Sequence, residues 1–232
     1  MKNGWEFLAW SEVSVEGFVE LIEENETRLR NCYAETIEFS SEYFIKMILM
    51  DAAFVIMFLL KCNYRDFSGS RDSIFYPPYK KVHVRLDICL LENQLPLFIL
   101  EELYRLSTIV GNSPECTMIE LTHGHGYFSY EWRSWAVGDI FGKVDFSKVK
   151  HLVDFLSIYH QPTKQNPKEK LEVVAVPSVK ELHQARVKFV WSSSKNLLDI
   201  KLDRNKGRLE FPRLKFADET EILIRNMQLG LK

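Results

Sequence analysis

The sequence predicts an α+β fold, mainly α-helical, with a small antiparallel β-hairpin element in the C-terminal third. Three observations predict it. Val15–Arg30 places Phe18, Leu21, Ile22 and Leu29 near helical spacing, opposite a Glu-rich face. Tyr43–Leu60 is apolar on nearly every side, which marks a helix surrounded by others. In the last third the period drops to two. Leu198, Ile200 and Leu202 alternate with Asp199, Lys201 and Asp203, and beyond a turn Leu209 and Phe211 alternate with Arg208 and Glu210.

The central helix has a clear start in FSSEYF. Ser40 supplies the N-cap, Glu42 favours the positive end of the dipole, and Phe39 with Phe44 is expected to form a hydrophobic staple. Arg65–Lys81, with Ser68, Gly69, Ser70, Pro77 and Pro78, reads as a loop. Arg85–Leu91 and Pro96–Leu106 then read as two helical pieces, with Pro96 at the first position of the second. Gly111–Pro114 is another loop. Ser147 can cap a helix through about Tyr159 that carries Leu152, Val153, Leu156 and Tyr159 on one face.

Gln161–Lys170 is polar and contains prolines, so residues 161–170 are expected to form a mobile loop or linker. Ser178-Val179-Lys180-Glu181 is a capping box opening a short helix, and Val187–Trp191 looks like a strand. The Arg204–Gly207 turn closes the hairpin, whose apolar face is expected to be buried. Asp218 with Glu221 caps a last helix carrying Ile222, Leu223, Ile224 and Met227. There is no internal repeat. The expected organisation is a single domain over residues 1–232.

Size and charge exclude some functions. A chain of 232 residues can bury roughly 70–75% of its unfolded surface, so it needs no disulfide or metal to fold. Thirty basic residues against 32 acidic ones leave a net charge of −2, which gives no field for nucleic acid or an anionic membrane. Cys32, Cys62, Cys89 and Cys116 form no CxxC pair and three of them lie in or beside apolar runs, the pattern of reduced structural thiols. The N-terminus MKNGWEFLAW lacks the continuous apolar stretch of a signal peptide. Lys46 and Asp51 interrupt Tyr43–Leu60. A spanning helix needs about 20 mostly apolar residues, and a mid-helix Asp costs about 2.5–3.5 kcal/mol on insertion, so the segment reads as a core helix.

Few groups invite chemistry. Asp51 falls midway along the most apolar helix, where a buried carboxylate must be paired, hydrogen-bonded or protonated. It is either an acid or base with a raised pKa, or a partner for Arg85, Lys46 or a backbone N–H; the sequence favours the structural role. Asp87, Glu92, Asn93 and Gln94 interrupt RLDICLLENQLPLFILEELY (Arg85–Tyr104). They can hold a divalent ion or ligand, or answer the orphan backbone groups where one helix ends and the next begins. The break before Pro96 favours the second account. His123 and His125 have a spacing that can bind metal, but His151 and His160 belong to another helix and no third ligand is evident. No GxSxG, HExxH, GxGxxG or P-loop pattern is present, nor the basic-aromatic interleaving of an RNA-binding sheet. No catalytic, cofactor-binding or metal-ligating residue is assigned, and no cofactor is expected.

Four blocks carry a family resemblance. CYAETIEFSSEYFIKMILMDAAFVI (Cys32–Ile56), RLDICLLENQLPLFILEELY (Arg85–Tyr104), HLVDFLSIYHQP (His151–Pro162) and the segment Val176–Met227 follow one another in the order seen in the plant "domain of unknown function 247" proteins, which this chain resembles from about Val15 onward. LLENQLP is the most diagnostic block. The resemblance implies a plant protein of uncharacterised function, with no established activity, cofactor or catalytic residue to carry over. Many relatives are thought to be membrane-attached through a hydrophobic helix near the C-terminus, and some are linked to pollen–stigma self-incompatibility in grasses. The chain lacks the upstream VSIGPYHH-like block of its relatives and stops before their apolar tail, so it reads as a truncated member and an incomplete domain.

The functional expectation is a non-enzymatic protein-interaction or recognition domain with an unknown protein partner, meeting it through exposed aromatic loops such as Arg65–Tyr79. No nucleic-acid partner is expected. Membrane contact is expected only through a C-terminal segment absent here, which would leave this short form cytoplasmic. The competing readings are a hydrolase or metal-dependent enzyme that brings Glu92 to His123 or His125, and an inactive remnant.

Overall fold

The computed structural model describes residues 2–64, 72, 75, 78–109, 117–123, 148–159, 177–194, 199–213, 220–221 and 224–225. Eight α-helices and three strands fall among them: α1 (Lys2–Trp10), α2 (Val15–Arg30), α3 (Ser41–Asn63), α4 (Pro78–Ile88), α5 (Leu97–Ser107), α6 (Met118–His123), α7 (Leu152–Tyr159), α8 (Val179–Gln184), β1 (Lys188–Trp191), β2 (Lys201–Asp203) and β3 (Arg208–Phe211). The chain is therefore mainly helical with a small C-terminal sheet, as the periodicity predicts.

α3 organises the helical body. It buries residues on every side, from Phe44 and Ile45 through Ile56, Met57 and Phe58 to Leu60. α1, α2, α5 and α6 all pack against it. Phe58 is fully buried and its ring faces Phe54 at 6.4 Å and Phe75 at 5.8 Å between centroids. Truncating a side chain so enclosed costs about 3–5 kcal/mol. α3 is also long and apolar enough to cross a membrane, but 67% of its most apolar window is buried in this fold.

Caps set the helix starts. The hydroxyl of Ser14 accepts a hydrogen bond from the Gly17 N–H, and that of Ser40 accepts one from Tyr43. The expected staple does not form between Phe39 and Phe44. Phe44 is buried beneath the Arg30 guanidinium, whereas Phe39 meets Tyr43 edge-on at 4.9 Å. At the other end of α3, Lys61 is buried and ion-pairs with Glu6 and Asp72. That pair anchors α1, a helix the sequence pattern does not reveal.

Two boundaries differ from expectation. α4 begins at Pro78 and not near Arg85, because a proline is as well suited to a helix's first turn as to a loop. The helix expected from Ser147 begins at Leu152. His151 caps it: its Nδ1 accepts from the Asp154 N–H at 3.1 Å, and the Asp154 carboxylate accepts from the Lys150 N–H. Ser147, Gly111–Pro114, the proposed linker at 161–170 and most of residues 65–77 lie outside the described residues. So does most of the last helix, though Ile224 packs against the core.

α8 has its capping box, with Ser178 and Glu181 bonded reciprocally. It ends on Arg186 at φ 62°, with the Val187 N–H donating to Leu182 and the Arg186 N–H to His183. This is a Schellman ending with arginine where glycine is usual. The hairpin forms as expected: β2 runs antiparallel to β3, and Gly207 takes φ 55° in the connecting turn. β1 adds in parallel on the other side of β3, giving the order β1-β3-β2.

Candidate functional site

The unusual polar groups of the middle of the chain gather where α4 stops. After Ile88 the chain makes a short 3₁₀ turn, Leu91–Asn93, before Pro96 leads into α5. The end of α4 leaves carbonyls without intrahelical partners, and two amides answer them. Gln94 Nε2 donates to the carbonyls of Ile88 and Leu90, both at 2.7 Å, and its Oε1 accepts from the Val153 N–H at 3.1 Å. Asn93 Nδ2 donates to the Asp87 carbonyl at 2.9 Å. Next to them the Leu97 N–H, at the start of α5, donates to Lys150. Gln94 thus ties the end of α4 to α7, and the Leu97–Lys150 backbone bond brings in the start of α5, as the structural account expects.

The acids behave differently. Asp51, Asp87 and Glu92 are all exposed. Asp51 is therefore not the buried carboxylate expected from its apolar helix, and it bonds to neither Arg85 nor Lys46. Its position on α3 faces the end of α4, where the helices part and leave a hollow of about 370 Å³. Ile37, Met47, Phe54, Val55, Val84 and Ile88 form the apolar walls, while Asp51, Asp87, Glu92, Asn93 and Gln94 supply polar groups. Burial against these walls raises the Asp51 carboxyl above its ordinary pKa although solvent reaches it. Tyr33, between α2 and α3, closes another side; burial first, then the neighbouring Cys32 and Asp51, push its hydroxyl up to about 12.

A second, wider hollow of about 820 Å³ adjoins the first, sharing Tyr33, Glu92, Gln94 and Leu95. Its far side carries Arg28, Lys150 and His151. Arg28 lies over the Phe98 ring at 3.6 Å and pairs with Glu102. Burial lowers the His151 pKa, with Asp154 opposing that shift. His123, at the end of α6, lines neither hollow, and His125 lies outside the described residues. The histidine that shares a hollow with Glu92 is His151, which is already engaged as a helix cap. Among the described residues no group of three or more His, Cys, Asp or Glu is placed to hold a metal ion. Cys62 is deeply set, and burial pushes its thiol up to about 11, so it behaves as a structural thiol.

The sheet offers a second candidate surface. Its register aligns Phe189 with Leu209, Trp191 with Phe211, and Leu202 with Leu209. All five side chains therefore share one face, while Lys188, Arg208, Lys201 and Asp203 take the other. Phe189 stacks on Phe211 at 5.8 Å. The alternation is as the sequence predicts, but the burial is not. Trp191 is 71% exposed and Leu202 54%. The apolar face is open at Trp191 and Leu202, while Leu209 and Phe211 are half-buried.

Tyr33 and the basic side of the wider hollow escape sequence reasoning. Tyr33 lies in the connection between two helices, where no period applies, and Lys150 enters only because His151 takes over the cap.

Comparison with known proteins fits this architecture to a family without adding a reaction. No solved structure matches the chain. The UPF0481 protein At3g47200 of Arabidopsis thaliana is 27% identical over 222 residues, covering 85% of this chain and 44% of the relative. The chain therefore spans under half the length of that curated relative. The family DUF247, described as a plant protein of unknown function, matches residues 5–229. With nearly its whole length matched, including the helix break and the hollow beside it, the chain belongs to the DUF247 family of plant proteins.

Proposed function

We propose that the chain is a non-enzymatic protein-interaction domain that works in plant recognition or signalling, and that its docking surface is the open apolar face of the sheet. The observation that carries this reading is the alignment of Phe189, Trp191, Leu202, Leu209 and Phe211 on one side of three short strands, with Trp191 and Leu202 exposed. Contiguous exposed apolar surface of this kind marks interaction sites, and a solvent-exposed tryptophan is a common anchor at them. The near balance of charges favours a protein partner over nucleic acid. Tyr79, the described end of the aromatic loop first expected to meet a partner, is exposed at the start of α4 and is a separate aromatic position open to a partner. α3 is not proposed as a membrane anchor, since it is largely buried in the core.

The test is affinity capture from plant tissue with the wild-type chain and a Trp191→Ser/Leu202→Ser variant. A partner retained by the wild type and lost by a variant with the same melting curve supports the reading. A specific partner held equally by both places the docking surface elsewhere. Capture of nothing specific by either form, from tissue where the protein is expressed, counts against an interaction domain altogether.

A further inference from the structure

From the smaller hollow we infer a binding site for a small organic cation with an aliphatic body, of the protonated alkylamine class. The half-open, apolar-walled space comes first. At about 370 Å³ the hollow falls within the range of small-molecule sites. Met47, Phe54, Val55 and Val84 offer an aliphatic body a surface that water solvates poorly.

Charge then selects the ligand. Asp51, Asp87 and Glu92 all line this hollow, and no Lys, Arg or His does so among the described residues. None of the three carboxylates has an ion-pair partner there, in contrast to the adjoining hollow with Arg28 and Lys150. The raised Asp51 carboxyl fits the same geometry, because burial acts on it without an opposing cation. The three acids are not close enough to form a metal-holding group. A point-charge ion therefore matches the site less well than an ammonium carried on an apolar body, which could use the walls and the acids together.

The experiment is a titration of the full chain, labelled with carbon-13 at methyl groups, followed by NMR at Met47, Val84 and Ile88. The probes are hexylammonium chloride, uncharged 1-hexanol and a short glycine peptide with one central lysine. Hexylammonium is expected to give saturable shifts confined to these methyls and to bind about tenfold or more tightly than hexanol, the sum of several modest charge contacts. An Asp51→Asn/Asp87→Asn/Glu92→Gln variant is expected to abolish that preference. Equal binding of amine and alcohol, shifts elsewhere, or an unchanged preference in a folded triple variant overturns the proposal. Tighter binding of the lysine peptide than of hexylammonium also overturns it, by assigning the hollow to a partner's side chain. The amine–alcohol comparison uses wild-type protein alone, so it decides the matter even if the variant does not fold. It is also independent of the sheet, whose docking role stands or falls on the Trp191 and Leu202 variant.

Discussion

The amides and the acids of the hollow come from the same few turns of chain, yet the fold uses them in opposite ways. Gln94 and Asn93 turn inward to the end of α4 and satisfy backbone groups. Asp51, Asp87 and Glu92 remain exposed, and no hydrogen bond engages their carboxylates among the described residues. The difference follows from chemistry. A carboxamide can donate to a carbonyl and accept from an N–H at once, whereas an ionised carboxylate only accepts. The end of α4 presents carbonyls, so amides fit and acids do not. A polar residue inside an apolar run is therefore not one kind of signal. Its hydrogen-bonding sense decides whether it closes the fold or is left facing solvent.

The sharpest way to break this contrast is at Gln94. Replacing it with Leu keeps the volume but removes two donors and an acceptor, orphaning the Ile88 carbonyl and the Val153 N–H and leaving the Leu90 carbonyl with the Asn93 N–H alone. With about 0.5–1.5 kcal/mol per bond and a further cost for unsatisfied buried groups, the expected loss is about 2–4 kcal/mol. Urea denaturation should show it as a lower midpoint at unchanged slope. A loss under about 0.5 kcal/mol would mean that the amide is not a tie.

A second break comes through pH at the α7 cap, which meets Gln94 at Val153. His151 caps α7 only while Nδ1 is unprotonated, and burial holds its folded pKa below the usual 6.5. The unfolded chain then binds the extra proton first. Stability from this group is complete above about pH 6.5 and is lost as pH falls through the folded pKa. His151→Asn, which keeps a capping acceptor without that titration, should flatten the pH dependence of the melting temperature between pH 7 and 5. An unchanged slope would remove His151 from this role. Asn93→Ala should cost less than Gln94→Leu, about 0.5–1 kcal/mol, because its bond to Asp87 is exposed.

Much of this fold was legible because its signals are local. The α2 stripe, the Ser40 and Ser178 caps, the all-round apolarity of α3 and the period-two hairpin each depend on a few adjacent residues. The misses depended on distant ones. α1 is held by Glu6 reaching Lys61, 55 positions along the chain. Pro78 starts a helix inside a segment whose composition says loop. The hairpin's alternation predicted which side chains share a face, but not whether that face is covered. The hollow was legible only in part. The cluster Asp87–Gln94 stands out in the sequence, whereas its meeting with Asp51 depends on how α3 and α4 part at their ends. Tyr33 joins them through a connection with no pattern at all.

Asp51 gives a smaller effect with a distinctive sign. Its folded pKa is raised by burial, so the folded state binds a proton more readily than the unfolded one. Its stabilising contribution is present below about pH 3.8 and is lost as pH rises through the folded value. Asp51→Asn should therefore raise the melting temperature at pH 7, and the gain should vanish towards pH 4. A melting temperature that falls at pH 7 would show that the ionised carboxylate has a partner and belongs with the amides.

The smallest expected effect is the most discriminating. If Asp87 and Glu92 are free of structural work, Asp87→Asn with Glu92→Gln should change stability by no more than about 0.5 kcal/mol, as for surface sites without a special feature. If instead these acids close the helix break as Asn93 and Gln94 do, the double variant should lose more than that and should couple to Gln94→Leu in a double-mutant cycle. A cycle near zero shows that the two acids do not close the helix break, which leaves them free for solvent or for the ligand inferred at this hollow.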